Sequence, residues 1–356
     1  MSIAFDIPPA AAPTAPVAST PNGPQSRADV RLIAERVRAW MRDNVMGRDD
    51  VIELVLVALF GDGHVLLEDY PGSGKTTLAN ALGNSISDDH SPEEASARLP
   101  EFRRVQFTPD LLPSDLIGTE VFNASDGRFT VRRGPLFANL VLADEVNRAP
   151  AKVQSALLES MQERQVSIGG ETFALDDPFL VMATMNPIEQ EGTYPLPEAQ
   201  LDRFLLKVKV DYPSRQEERQ ILEMGLNGAV PAGRPVATRE HLRTAREAVN
   251  EVVLDDTLKD YIVQVVYATR RPAQYRMPQL QPLIAFGASP RASIALARAA
   301  RAHAFLQGRG YTTPDDVKSL AHDVLRHRIV TTYEAEAQEL TTDNLIDRVL
   351  EGIDVP

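Results

Sequence analysis

The 356 residues carry a formal net charge of −13, are 43% apolar and 24% charged, and include no cysteine. The acidic balance repels a phosphate backbone and leaves nucleic acid an unexpected partner. The missing thiols exclude disulfides, thiolate metal sites and cysteine nucleophiles. The six histidines show no H-E-x-x-H or comparable metal spacing.

In chain order, residues 1 to 27 are rich in Pro, Ala, Ser and Thr and read as a disordered tail. They lack the basic start and apolar core of a signal peptide. No later run is apolar and long enough to span a membrane, so a cytoplasmic protein is expected. Val30, Ile33, Val37, Trp40 and Met41 recur at helical spacing, and a second helix is predicted from Asp49 to Phe60. Five short apolar runs follow: Val65–Leu67, Arg104–Phe107, Leu140–Ala143, Phe179–Ala183 and Phe204–Val210. Continuous apolar runs between helices predict buried parallel strands, hence an α/β fold, an αβα sandwich on a five-stranded parallel sheet.

Two hairpins interrupt this layout. Gly118–Asn123 and Arg128–Arg133 flank Asp126-Gly127, and Arg164–Ile168 and Glu171–Leu175 flank Gly169-Gly170. Pattern alone leaves open whether either is more than surface decoration. Beyond Tyr212-Pro213 the strands are expected to stop. Helices follow, with Gly308 ending one and Thr313-Pro314-Asp315-Asp316 starting another. The expected division is a tail over 1–27, an α/β domain over 28–212 and a smaller all-helical domain over 213–356.

The stretch "VLLEDYPGSGKTTLANAL" carries the first chemistry. A strand, a Gly-rich turn and a helix start together form an anion site, in which backbone N–H groups and the helix dipole face phosphate oxygens. Pro71, Gly72, Ser73, Gly74, Lys75, Thr76 and Thr77 are the candidate nucleotide-binding residues. Lys75 reaches the β- and γ-phosphates, and Thr76 ligates Mg²⁺. Asp69 stands where the pattern G-x-x-x-x-G-K-[ST] has its first Gly. Asp tolerates left-handed backbone, so the turn survives, with a carboxylate near the polyanion.

A second strand, "LVLADE", ends in Asp144, placed to hold Mg²⁺ through water, and Glu145, placed to act as general base. A third, "FLVMATMNP", ends at Asn186, which can orient the lytic water. In "LPEAQLDRFLL", Arg203 ends a helix just before the last strand. That placement suits the helix dipole, and it also suits an arginine finger offered to a neighbouring subunit. In "GASPRASIALARAA", Ser289 caps a helix and Pro290 starts it. Arg291 then opposes the dipole, which suggests a task such as contacting the γ-phosphate from the second domain.

The stretches "FTPDLLPSDLIGTEVF", "GPLFANLVLADEVNRAPAKVQSALLESMQERQVSIGG", "MATMNPIEQEGTYPLPEAQLDRF" and "GASPRASIAL" together resemble the MoxR family of AAA+ ATPases, of the helix-2-insert clade, from about Val45 to Arg328. The resemblance implies ATP and Mg²⁺ as ligands. Lys75 and Thr76 look like Walker A residues, Asp144 and Glu145 like Walker B, Asn186 like sensor 1, Arg203 like the arginine finger and Arg291 like sensor 2. Val45-Met46-Gly47 is similar to the segment that packs on adenine. The hairpin at 118–133 resembles the helix-2 insert, and that at 164–175 the pre-sensor-1 hairpin.

The family also implies a nucleotide-promoted homo-hexamer, a partner with a von Willebrand factor A domain, and chaperone-like remodelling of a protein client. Asp69, the acidic segment Asp88–Pro100 and the tail depart from the family pattern. Two other readings compete: a nucleotide-controlled adaptor with little hydrolysis, and a metal-chelatase-like motor subunit.

Overall fold

The computed structural model describes residues 27–69, 74–87, 102–125, 127–186, 192–227 and 235–356. Residues 1–26 of the expected N-terminal tail, Asp88–Pro100, Asp126 and the loop residues Pro71, Gly72 and Ser73 lie outside them, while Arg27 already belongs to the first helix. Helix α1 (Arg27–Asn44) turns Val30, Ile33, Val37 and Met41 inward at three- and four-residue steps, all buried. Helix α2 (Asp49–Phe60) opens with Asp49 and Asp50, which suit its positive end.

The five apolar runs are strands: β1 (Val65–Asp69), β2 (Phe102–Gln106), β3 (Leu140–Asp144), β4 (Leu180–Met185) and β5 (Leu206–Val210). They form one sheet in the order β5-β1-β4-β3-β2, with every pairing parallel. Because side chains alternate across a strand, the central strands feed two cores. Val65, Leu67, Leu142, Met182 and Val208 face α1, α2 and α3 (Lys75–Ser85). Leu66, Val141, Ala143 and Val181 face Phe107, Leu157 and Leu158, the last two on α4 (Ala151–Glu163).

The tolerance of Asp for left-handed backbone is not called on at position 69: Asp69 is the last residue of β1 and pairs with Val210.

Both hairpins form, with strands Gly118–Asn123 and Arg128–Arg133, and Gln165–Ile168 and Glu171–Ala174. Arg164 is not in the second hairpin; it caps α4 in the left-handed conformation at φ 54°. The hairpins touch: a Cβ on Gly169 would lie 2.0 Å from the Glu120 carboxyl carbon, so a side chain there requires Glu120 to swing away.

Beyond β5 the chain is helical: α5 (Arg215–Asn227), α6 (Arg239–Asn250), α7 (Asp256–Arg270), α8 (Pro290–Leu306), α9 (Pro314–Leu325) and α10 (Thr342–Gly352) are the longer elements. The expectation that strands stop here needs one correction. Ala237–Thr238 pairs in parallel with Ile86–Ser87, and Ile284–Phe286 pairs with Val330–Thr331. These pairs are two or three residues long, and neither shows the apolar alternation that marks a strand in sequence. The caps read from sequence are in place. Ser289 accepts from the Arg291 N–H, Thr313 and Asp316 form a capping box, and Gly308 takes φ +74°. The apolar core on the α1–α3 side continues without a break into these helices, through Leu242, Val265, Leu296 and Val324.

Candidate functional site

In a parallel sheet flanked by helices, ligands collect at the carboxyl edge, where strands give way to loops. Lys75, Asp144, Glu145 and Asn186 all stand there. Gly74 takes φ +91° just before α3, and no side chain caps that helix, so its first N–H groups remain for a ligand. The Lys75 ammonium lies 3.4 Å from Asp144 Oδ1. Thr76 and Thr77 occupy the first turn of α3. Val45 is buried and shares a narrow apolar slot with Val51, Leu67, Leu78 and Val210, which Lys75 also lines. Gly47, at φ +65°, lets the Glu217 side chain close over its backbone, where a Cβ would lie 2.4 Å from Glu217 Cγ. Met46 is half-buried between them.

Asp144 ends β3 with 2% of its surface exposed. The Thr184 hydroxyl donates to its Oδ1 at 2.8 Å, and the Arg104 guanidinium to its Oδ2 at 2.6 Å. Burial alone pushes the Asp144 carboxyl up. Hydrogen bonds from Arg104 and Thr184, with the charge of Lys75, more than offset this and hold it below the ordinary value. Glu145 sits in the left-handed region at φ 57°, fixed by its N–H donating to Thr184 Oγ1 at 2.8 Å. Its Oε2 accepts from Gln106 at 2.7 Å and pairs with Arg148 at 3.0 Å. Thr184 thus joins both acidic residues to β4, two positions before the buried Asn186.

Arg104, Gln106, Arg148 and Thr184 are not singled out by the sequence reading. Arg104 and Gln106 alternate on one face of β2, which reads as the polar face of an edge strand. Their meeting with Asp144 and Glu145 depends on β2 lying beside β3.

Arg203 and Arg291 are elsewhere. Arg203 follows the short helix Glu198–Leu201 and precedes β5. The Leu205 N–H donates to the carbonyl of His64, the residue before β1, at 2.8 Å. Arg203 therefore stands at the amino edge of the sheet, a strand length of about 16 Å from the carboxyl edge. Arg291 joins it there. Both line a cavity of about 430 Å³ with His64, Arg164 and Arg298, to which Lys75, Asp144 and Glu145 contribute nothing. Arg291 thus lies a sheet's length from Lys75, Asp144 and Glu145 of its own chain. Docking of α8 against the segment before β5 carries it to the other end of the strands.

The amino edge is tightly fixed. Asp202 Oδ2 accepts from the Ser289 hydroxyl at 2.8 Å, and Oδ1 from Arg328 Nε at 2.7 Å. Arg328, 8% exposed, also donates to the carbonyls of Phe204 and Leu205. His64 is buried, accepts at Nδ1 from the Val181 N–H at 3.0 Å, and places Nε2 3.1 Å from the Met161 carbonyl. Desolvation, then the nearby Arg164 charge, lowers its pKa from 6.5 to about 3, so the ring is neutral. The Arg203 Nε is buried without a partner, and neither Arg203 nor Arg291 forms an ion pair among the described residues.

Residues 64–206 match the model of the ATPase family associated with various cellular activities, and residues 279–349 match the AAA lid domain. The chain is 47% identical over 341 residues to the Mycobacterium tuberculosis protein Chaperone MoxR1, covering 94% of this chain and 86% of that one. It is 31% identical to Protein MoxR of Methylorubrum extorquens, covering 92% and 96% of the two chains. The crystal structure of a Cytophaga hutchinsonii protein assigned as an ATPase superposes with a TM-score of 0.85 at 42% identity, over 93% of this chain and 97% of that one. No described helix is long and apolar enough to cross a membrane. With its 5-1-4-3-2 sheet, its helical lid and these relatives, the chain is a member of the MoxR family of AAA+ ATPases.

Proposed function

We propose that the chain is one subunit of a ring that hydrolyses ATP at sites shared between neighbours, and that this drives chaperone-like remodelling of a protein client. The observation that carries the reading is the separation of Lys75, Asp144 and Glu145 from Arg203 and Arg291 by the length of the sheet. Cations at the amino edge serve a triphosphate at the carboxyl edge only if the two edges belong to different subunits. Six subunits, assembly promoted by nucleotide and a partner with a von Willebrand factor A domain follow from the family resemblance. The division into an α/β domain over 28–212 and a lid over 213–356 follows from where the strands of the sheet end.

In this reading Lys75 and the start of α3 hold the phosphates, and Val45, Met46 and Gly47 border the adenine. Asn186 orients the attacking water, and Glu145 takes its proton. Arg203 and Arg291 of the neighbour meet the charge that develops on the transferred phosphoryl group. Mg²⁺ suits the donors present: Thr76 and the ionised Asp144 supply one hydroxyl and one carboxylate, and this ion keeps several waters and takes phosphate oxygens. Bound there, it neutralises phosphate charge. Among the described residues no cluster of three or more His, Asp or Glu forms a separate metal cage.

A nucleotide-controlled adaptor is the second reading. It is favoured by the engagement of Glu145 with Gln106 and Arg148, which ties up the general base. ATP turnover per subunit measured against protein concentration decides between them, with Glu145→Gln as control. A steep rise with concentration, abolished in the control, supports the shared-site ATPase. Turnover that stays at the control level while ATP binds supports the adaptor.

A further inference from the structure

We propose that a second cavity, between α6 and α8, binds a small oxyanion of the phosphate class. It encloses about 260 Å³ and is closed by the turn after α2 and the loop before β4. No residue of the carboxyl edge lines it, and Asp62 and Arg298 are shared with the cavity that holds Arg203 and Arg291; the proposal does not rest on the shared-site reading.

Its inner wall is Arg246, 8% exposed. Arg246 Nε donates to the Leu59 carbonyl at 3.0 Å, and Nη1 reaches Asp62 at 2.7 Å and Asp177 at 3.1 Å. Its Nη2 is buried and has no partner. A guanidinium nitrogen removed from water without an acceptor is unfavourable, and an anion that drew the side chain toward the cavity would relieve it. Arg301, across the cavity on α8, repeats the pattern: its Nε is buried and unpartnered.

The charge is uneven. Arg243, Arg246, Arg298 and Arg301 line the cavity against Asp62, Asp177 and Glu247. Asp62 and Asp177 are already engaged, Asp62 by Arg164 and Arg246, and Asp177 by Arg243 and Arg246. Arg298 and Arg301 form no ion pair among the described residues. This surplus of cations stands in a chain of net charge −13. A surface arginine needs no such company; several converging on one cavity match the forked acceptors of phosphate, which offer more lone pairs than a single carboxylate. The volume holds one or two phosphate groups and is small for a whole nucleotide.

Arg291, Arg298 and Arg301 are seven and three residues apart, so they share one face of α8. An anion held by Arg298 and Arg301 against Arg243 and Arg246 would therefore tie α6 to the helix that carries Arg291.

The test uses the full chain without nucleotide, in a Lys75→Ala background so that the nucleotide loop does not compete. Inorganic phosphate and pyrophosphate are titrated separately, read by calorimetry and by thermal unfolding, against sodium chloride at matched ionic strength. The expected result is saturable binding with a rise in melting temperature. Arg298→Gln and Arg301→Gln should raise the half-saturating concentration about tenfold or more, as loss of a charge-assisted contact implies. Arg219→Gln, on exposed α5, should leave it unchanged. Arg301→Lys keeps the charge and guards against misfolding; it should fall between wild type and the glutamine variant. Saturation by either anion supports the site, and the tighter of the two reports its size. No binding beyond the chloride control would overturn the proposal, as would equal affinity in Arg298→Gln and Arg301→Gln. An effect that appears only where subunits associate would also overturn it, and would assign these arginines to a neighbour's carboxylates.

Discussion

The Ser289 hydroxyl donates to Asp202 Oδ2 at 2.8 Å, so the cap of the helix that carries Arg291 is fastened to the residue before Arg203. The other carboxylate oxygen of Asp202 takes Arg328, whose side chain is 2% exposed. Asp202 thereby sets both arginines of the amino edge relative to each other. We predict that Asp202→Ala lowers stability by about 3 kcal/mol, because it leaves the Arg328 charge buried and unpaired. Turnover should fall with little change in ATP affinity. Urea unfolding and equilibrium nucleotide binding check the two halves, and an unchanged unfolding midpoint would contradict the first.

Shared sites make a stronger prediction for mixtures. Arg203→Ala should bind ATP normally and lose turnover about a thousandfold or more, as for other trans-acting arginines. Lys75→Ala should lose binding. Neither variant works alone, yet a Lys75→Ala subunit still offers its Arg203 to the intact nucleotide site of an Arg203→Ala neighbour. An equal, random mixture should regain activity at about one interface in four, since the contact is head-to-tail. A mixture as inactive as its parts would argue against shared sites.

Glu145 is held by Gln106 at 2.7 Å and Arg148 at 3.0 Å. Removing the amide leaves the carboxylate held by Arg148 alone and freer to face a water. Gln106→Ala is predicted to raise basal turnover severalfold, roughly the worth of one charge-assisted hydrogen bond, while Glu145→Gln in the same background stays inactive. Steady-state rates at saturating ATP measure this.

His64 links the interior to pH. Its folded pKa of about 3 lies below the 6.5 of an ordinary histidine, so between those values the unfolded chain binds more protons. Its contribution to stability is therefore complete above pH 6.5 and is lost as pH falls toward 3. The loss is about 1.4 kcal/mol for each unit below 6.5, hence about 2 kcal/mol by pH 5. His327, fully buried and shifted the same way by desolvation, adds to the slope. Urea midpoints from pH 7 to 5 should fall less steeply in His64→Gln than in the wild type.

Much of this molecule is legible in its sequence, for identifiable reasons. The central strands of the sheet are short apolar runs, the helix starts carry Ser289-Pro290 and Thr313-Pro314, and Asp144 and Glu145 stand at the end of an apolar strand. Strand order is less accessible, and what depends on it stays hidden. Arg104 and Gln106 become partners of the acidic pair only because β2 is the neighbour of β3. Thr184 becomes their anchor only because β4 lies on the other side. The position of Arg291 depends on how α8 docks, and its cap and dipole say nothing of that. Asp69 misleads because a motif gap suggests a turn residue, whereas pairing with Val210 keeps the backbone extended.

The sheet that keeps Arg203 away from Lys75 also gives each subunit a front and a back. Front meets back when such subunits associate, so a closed assembly has a sense of circulation. If subunits associate through shared sites as proposed, a displacement at one bound triphosphate would enter the next subunit at its amino edge and leave at that subunit's own loop, in the direction in which the five parallel strands run.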